Sequence, residues 1–222
     1  MRGLAAAAAA LLLAAGHAAA QGTIAAAPKE VAPIAVAGDA QPRAWAYSAS
    51  LFGYFVPEDQ NFAQPTLTAD RSRWHVEARY NYEALETGSA WLGYAFSAGK
   101  RLKLDITPML GGVFGDVRGF APGCELTLGW SRLELYSEGE YFFDVENESE
   151  DFFYNWSELV ITPASAWRAG FVVQRTRAFQ TSVDLQTGLL AGVSYGQVDF
   201  TAYVFNLGGE DQTFVISAEV GF

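Results

Sequence analysis

From Ala44 to Phe222 the chain alternates apolar and polar side chains with a period of two, and its charges keep almost entirely to one parity. Residues 213–222 read T-F-V-I-S-A-E-V-G-F: Phe214, Ile216, Ala218, Val220 and Phe222 on one side, and Thr213, Val215, Ser217, Glu219 and Gly221 on the other. Further back, Trp74, Val76, Ala78, Tyr80 and Tyr82 alternate with Arg73, His75, Glu77, Arg79, Asn81 and Glu83. Successive side chains of a strand point to opposite faces, so this pattern specifies strands with one greasy and one wet face. A helix would scatter the same charges around its whole circumference.

The alternation divides into 12 candidate strands: 44–56, 66–71, 73–83, 89–97, 102–113, 120–130, 132–144, 152–162, 167–177, 182–195, 197–206 and 213–222. The joins alternate in length. The longer set (57–65, 84–88, 114–119, 145–151, 178–181 and 207–212) carries most of the loop acids, and the other set is tight, as at Ser131 and Gly196. An even number of strands with short turns at one end and longer loops at the other is the pattern of an up-and-down antiparallel barrel. Pro108 and Pro122 run against it, because proline removes a ladder bond inside a closed sheet. In 152–162, Asn155 and Ser157 share the parity of Leu159 and Ile161, which leaves the register of that strand open.

The start of the chain is different. Met1-Arg2-Gly3 is a short positive segment, residues 4–15 are apolar, and Ala18-Ala19-Ala20 offers small residues for cleavage. Residues 1–20 therefore read as a secretory signal peptide, too short for a spanning helix. Residues 21–43 are rich in Ala and Pro without a period and read as a periplasmic lead-in, or else as a plug that folds into the barrel. A net charge of −11 makes nucleic acid an unsuitable partner. Cys124, the single cysteine, forms no internal disulfide and is not placed to carry a lipid anchor.

Periodicity alone does not say which face points inward. Twelve strands enclose more space than apolar side chains readily fill, since eight are already just filled. Trp45, Trp74, Trp130 and Trp167 all fall at strand ends on the short-turn side, where an interfacial aromatic girdle would stand. On the apolar parity the one charge noted is Arg175, placed near the outer rim. The expected fold is therefore an all-β, closed, antiparallel up-and-down transmembrane barrel of about 12 strands over residues 44–222.

With its signal peptide, its alternating strands and a final Phe222, the chain resembles bacterial outer-membrane β-barrel proteins. That resemblance implies residence in a bacterial outer membrane, a lipid bilayer around the barrel, and insertion by the outer-membrane assembly machinery with Phe222 as the assembly signal. It names no subfamily. Twelve-stranded members include small channels, a phospholipase and autotransporter translocator domains, so function has to come from the site.

The polar parity supplies the candidates. Lumen-lining residues are expected to be Arg73, His75, Glu77, Arg79, Glu83, Lys103, Asp105, Glu125, Arg132, Glu134, Glu138, Glu140, Asp184, Asp199 and Glu219, with Asp144, Glu158 and Arg168 on the same face. Acids outnumber bases, and such a wall concentrates cations and repels anions. Inward aromatics (Phe52, Tyr54, Trp91, Tyr136, Phe142 and Tyr203) narrow the bore. The expectation is a monomeric porin-like channel for small hydrophilic or cationic solutes, with no enzymatic activity, cofactor or metal. The alternative is a non-conducting barrel plugged by its own side chains or by residues 21–43. A hydrolase like the outer-membrane phospholipases or surface proteases would need a histidine on the lipid face or at the outer mouth. His75, the only one left after signal cleavage, is on the polar parity near the periplasmic end. One histidine and no cysteine pair also give no transition-metal motif. A hard cation among Glu134, Glu138 and Glu140 or in the acidic loop 146–151 competes with an ordinary solvated surface.

Overall fold

The computed structural model describes residues 44–56, 60–146, 151–164, 166–178, 184–209 and 212–222. The signal peptide and lead-in expected at 1–43, and most of the acidic loop 146–151, lie outside them. The strands are β1 (Ala46–Phe55), β2 (Phe62–Arg71), β3 (Trp74–Tyr80), β4 (Thr87–Tyr94), β5 (Phe96–Ala98), β6 (Leu102–Gly115), β7 (Gly119–Trp130), β8 (Leu133–Asp144), β9 (Phe152–Ala164), β10 (Trp167–Ala178), β11 (Asp184–Tyr195), β12 (Val198–Phe205) and β13 (Thr213–Gly221). They pair antiparallel with their neighbours, and β1 pairs with β13. Tyr47 and Phe222 exchange backbone hydrogen bonds of 3.0 and 2.9 Å across that seam, and their rings stack at 6.0 Å.

β4 and β5 are one barrel strand. Gly93 stands opposite Met109 and Phe96 opposite Ile106, in a single register, and the break falls opposite Pro108. Proline has no N–H to give the ladder, so pairing lapses for two residues without a shift. Pro122 does the same between β7 and β8, where pairing stops after Phe120 with Phe143 and resumes at Gly123 with Glu140. The barrel therefore has 12 strands, and both prolines are local gaps rather than obstacles to closure. The second strand is longer than its sequence pattern predicts, because Phe62, Gln64 and Thr66 continue the inward parity ahead of Thr68. The third is shorter: it ends at Tyr80, and Asn81 turns the chain with φ of 58°.

The polar parity faces inward. In β3, His75, Glu77 and Arg79 are buried while Trp74, Val76 and Tyr80 are exposed. The outer surface carries Leu67, Leu92, Leu110, Leu159, Phe171, Leu189 and Ile216, all 46–62 % exposed. Exposed leucines around buried carboxylates and guanidinium invert the order of a water-soluble domain, and only a lipid environment makes the inverted order favourable. Trp45, Trp74, Trp130 and Trp167, 40–63 % exposed, ring the end that holds both chain termini of the barrel. Arg71 lies 5.8 Å from the Trp45 ring centroid at the same level, the position of a snorkelling cation.

β9 is resolved by its neighbours. Asn155 and Ser157 do face outward, and they satisfy each other and β8: Ser157 Oγ bonds Asn155 Oδ1 at 3.0 Å, and Asn155 Nδ2 donates to Glu138 O at 2.7 Å. Ser137 and Ser157 share a further 2.9 Å bond. A polar cluster that answers its own hydrogen bonds is tolerable against lipid. Arg175 sits at the outer end of β10, 5.7 Å from the Phe153 ring centroid.

Candidate functional site

Two aromatic and aliphatic clusters fill opposite sides of the lumen. One joins Tyr54, Trp156, Val160, Val172, Leu190, Tyr203, Phe205 and Val215; the other joins Trp91, Met109, Val113, Ala121 and Phe142. All six aromatics expected inside, Phe52, Tyr54, Trp91, Tyr136, Phe142 and Tyr203, either belong to a cluster or pack against one. Trp91, in the second cluster, lies flat over two glycines of the wall. A Cβ at Gly111 would stand 2.5 Å from its ring, and one at Gly123 3.0 Å. Gly111→Ala is accordingly expected to push Trp91 off the wall and cost about 1–3 kcal/mol of stability, read as a lowered urea midpoint and a shifted tryptophan emission in detergent micelles.

Arg79 spans the gap between the clusters. Its Nε donates to Glu77 Oε2 at 2.6 Å, and its terminal nitrogens lie 2.5 Å from Glu77 Oε2, 2.7 Å from Glu138 Oε1 and 3.2 Å from Glu140 Oε2. Tyr82 and Trp91 cover its two flanks, with ring centroids 4.3 and 4.6 Å away. Tyr136 Oη donates to Glu138 at 3.0 Å and reaches Glu125 at 3.3 Å. A second pair holds the other half of the lumen: Arg168 meets Glu158 at 2.7 Å, and Trp156 and Tyr203 both donate to Glu158. Such pairs need hydrogen bonds to offset desolvation, and the aromatic donors Tyr136, Trp156 and Tyr203 supply part of them, at Glu138 and Glu158.

Above this layer, toward the longer loops, a vestibule of about 350 Å³ is lined by Tyr54, Phe62, Gln64, Tyr82, Glu83 and Tyr154 among others. Glu83 belongs to the loop after β3 rather than to the strand, and it accepts from Trp91 Nε1 at 3.3 Å at the floor of the vestibule. Asp184 marks the outer end of β11, opposite Thr176. Toward the periplasmic end stand Lys103, Asp105, Glu134, Asp199 and Glu219; Asp199 accepts from Ser194 Oγ and lies opposite Glu219 in the β12–β13 register.

Two expected lumen residues are displaced. Arg73 sits in the turn before β3 with its guanidinium 6.0 Å from the ring of Tyr94, an outward-facing residue that packs on Trp74 and Phe96. Arg132 is exposed in the turn between β7 and β8. Both strands begin one residue later than the alternation suggests, because Ser72 and Ser131 take left-handed turn conformations with φ of 59° and 57°.

One convergence was not visible in the chain. His75 and Glu77 from β3 meet Glu125 from β7, and one donor atom from each lies within 4.8 Å of the others. Two strands separate β3 from β7, so only barrel curvature and the missing side chain of Gly93 bring them together. A Cβ at Gly93 would lie 2.8 Å from Thr107 Cγ2 and 3.4 Å from the His75 ring.

The inverted surface, the closed sheet and the tryptophan belt define the chain as an outer-membrane β-barrel. No family model matches it and no curated protein is detectably similar in sequence. Solved structures share the fold. The KdgM porin in complex with disordered oligogalacturonate aligns with a TM-score of 0.57 at 10 % identity, covering 79 % of this chain and 99 % of the porin. A second KdgM porin structure gives 0.54, at the same identity and coverage. The Acinetobacter baumannii outer membrane protein Omp33 gives 0.48 at 11 % identity, covering 80 % and 98 %.

Proposed function

We propose that the protein is a narrow outer-membrane channel for small hydrophilic solutes, with a preference for cations. The observation that carries this reading is the charge of the inner wall. Asp105, Glu125, Glu134, Asp199 and Glu219 fall on the inward parity toward the periplasmic end, where the bases on that parity are Lys103, His75 and Arg168. Acids fixed in a low-dielectric wall raise the local cation concentration and oppose anions. The porin fold shared with KdgM supports conduction in general, and the preference for cations rests on the wall.

The Arg79 layer is the constriction. Glu77, Arg79, Glu140, Trp91 and Phe142 are each at most 5 % exposed, so solute passage requires this layer to shift. The same observation favours the second reading, a barrel held shut by its own side chains. Single-channel recording of the refolded mature protein under a KCl gradient separates the two. The channel gives discrete steps with a reversal potential favouring K⁺, and changing Glu134, Glu138 and Glu140 together to Gln lowers that preference. A silent bilayer, with the folded barrel verified by heat-modifiable gel mobility, overturns the channel reading in favour of the closed barrel.

A further inference from the structure

The group formed by His75, Glu77 and Glu125 stands apart from the Arg79 layer in what it offers. Arg79 engages Glu77 through Oε2, leaving Oε1 turned toward His75. His75 is 6 % exposed. Its Nδ1 is bound to Asp70 on the neighbouring strand at 2.7 Å. Its Nε2 lies 3.1 Å from Glu77 Oε1, yet makes no hydrogen bond of acceptable geometry to any group. Glu125 completes the triangle from β7.

The chemistry of this arrangement is specific. When Asp70 accepts the Nδ1 proton, the neutral imidazole presents the Nε2 lone pair to two carboxylates. Three electron-pair donors facing one another in a buried space need positive charge between them. Arg79 answers Glu77 at Oε2, the oxygen turned away from His75. Asp70, Glu77, Glu125, Glu138 and Glu140 crowd the region, and Arg79 is the guanidinium among them. A carboxylate holding the far nitrogen of an imidazole is also the usual outer partner of a metal-binding histidine, fixing its tautomer and ring plane.

We infer that His75 Nε2, Glu77 Oε1 and a carboxylate oxygen of Glu125 form a binding site for one divalent ion of the Zn²⁺ or Co²⁺ kind, with Asp70 as the orienting partner of His75. One nitrogen and two oxygens suit such borderline ions, and a fourth position remains for water. Ligands about 2.0–2.1 Å from a tetrahedral ion stand roughly 3.4 Å apart. The three donor atoms lie within 4.8 Å of one another, so they close by at most about 1.4 Å, within reach of side-chain rotation at Glu125, which is only half-buried. The site sits in the periplasmic half of the lumen, and occupancy would replace a repulsive cluster by a neutralised one.

The test uses the refolded mature barrel in detergent micelles, titrated with ZnCl₂ by calorimetry and with CoCl₂ by visible absorption. The expected result is saturable binding of one ion per chain, with cobalt bands displaced by zinc. His75→Gln and Glu125→Gln should each weaken binding by tenfold or more, and Asp70→Asn by about 10–100-fold, as loss of an outer partner does. Heat-modifiable mobility establishes that each variant is folded. Absence of saturable binding by the unaltered protein overturns the site, leaving His75 as a protonated bridge between Asp70 and Glu77. Undiminished binding in folded His75→Gln overturns it equally. Neither readout involves conduction, so this site and the channel reading fail separately.

Discussion

Arg79→Ala is expected to raise unitary conductance several-fold and to sharpen cation preference. The guanidinium is the positive charge that Glu77, Glu138 and Glu140 share, and its two faces are packed between Tyr82 and Trp91. Its removal leaves three carboxylates a few ångströms apart without the guanidinium they share. In a dry interior, breaking such a pair costs about 3–5 kcal/mol. A lumen has a cheaper response, because water enters from both mouths, the carboxylates separate, and the constriction widens into a hydrated acidic ring. The change therefore registers in current more than in folding. Arg79→Met preserves the length of the stem while deleting the charge, so it separates lost volume from lost pairing. If both variants conduct as the unaltered protein does, this layer is not the constriction.

Phe171→Arg is the second large effect, on insertion rather than conduction. Phe171 is 62 % exposed on the outer face of β10, between Leu159 of β9 and Leu189 of β11. It lies four residues above Trp167, roughly 10 Å up a tilted strand and so near the middle of the apolar band. An arginine there is expected to cost about 2–4 kcal/mol. Refolding into vesicles should show a smaller folded fraction on a heat-modifiable gel and a lowered denaturant midpoint. The same substitution at Val145, exposed beyond the outer end of β8, should have little effect. Equal losses at both positions would contradict the membrane-spanning orientation.

The sequence was informative wherever one strand decides the outcome. Period-two alternation is a local property, so the 12 strands and the closed antiparallel barrel they form were legible in the chain. It was less informative at the ends of strands. Arg73 and Arg132 continue the alternation on paper, but Ser72 and Ser131 turn the backbone and carry them to the rim. Pro108 and Pro122 counted against a closed sheet, because each removes a ladder bond. In the sheet each costs only a short gap, because the neighbouring pairs keep their register on both sides.

What the sequence determined by itself was the kind of surface each strand has and therefore the barrel, since the lipid and the lumen each select one parity. What only the tertiary structure decided was which inward side chains meet. Glu77 and Arg79 are two residues apart, but Glu138 and Glu140 reach Arg79 across the lumen, and Glu125 reaches His75 over the space left by Gly93. Those distances depend on the curvature of a closed sheet and on the glycines along its wall. Alternation within a strand carries no information about either.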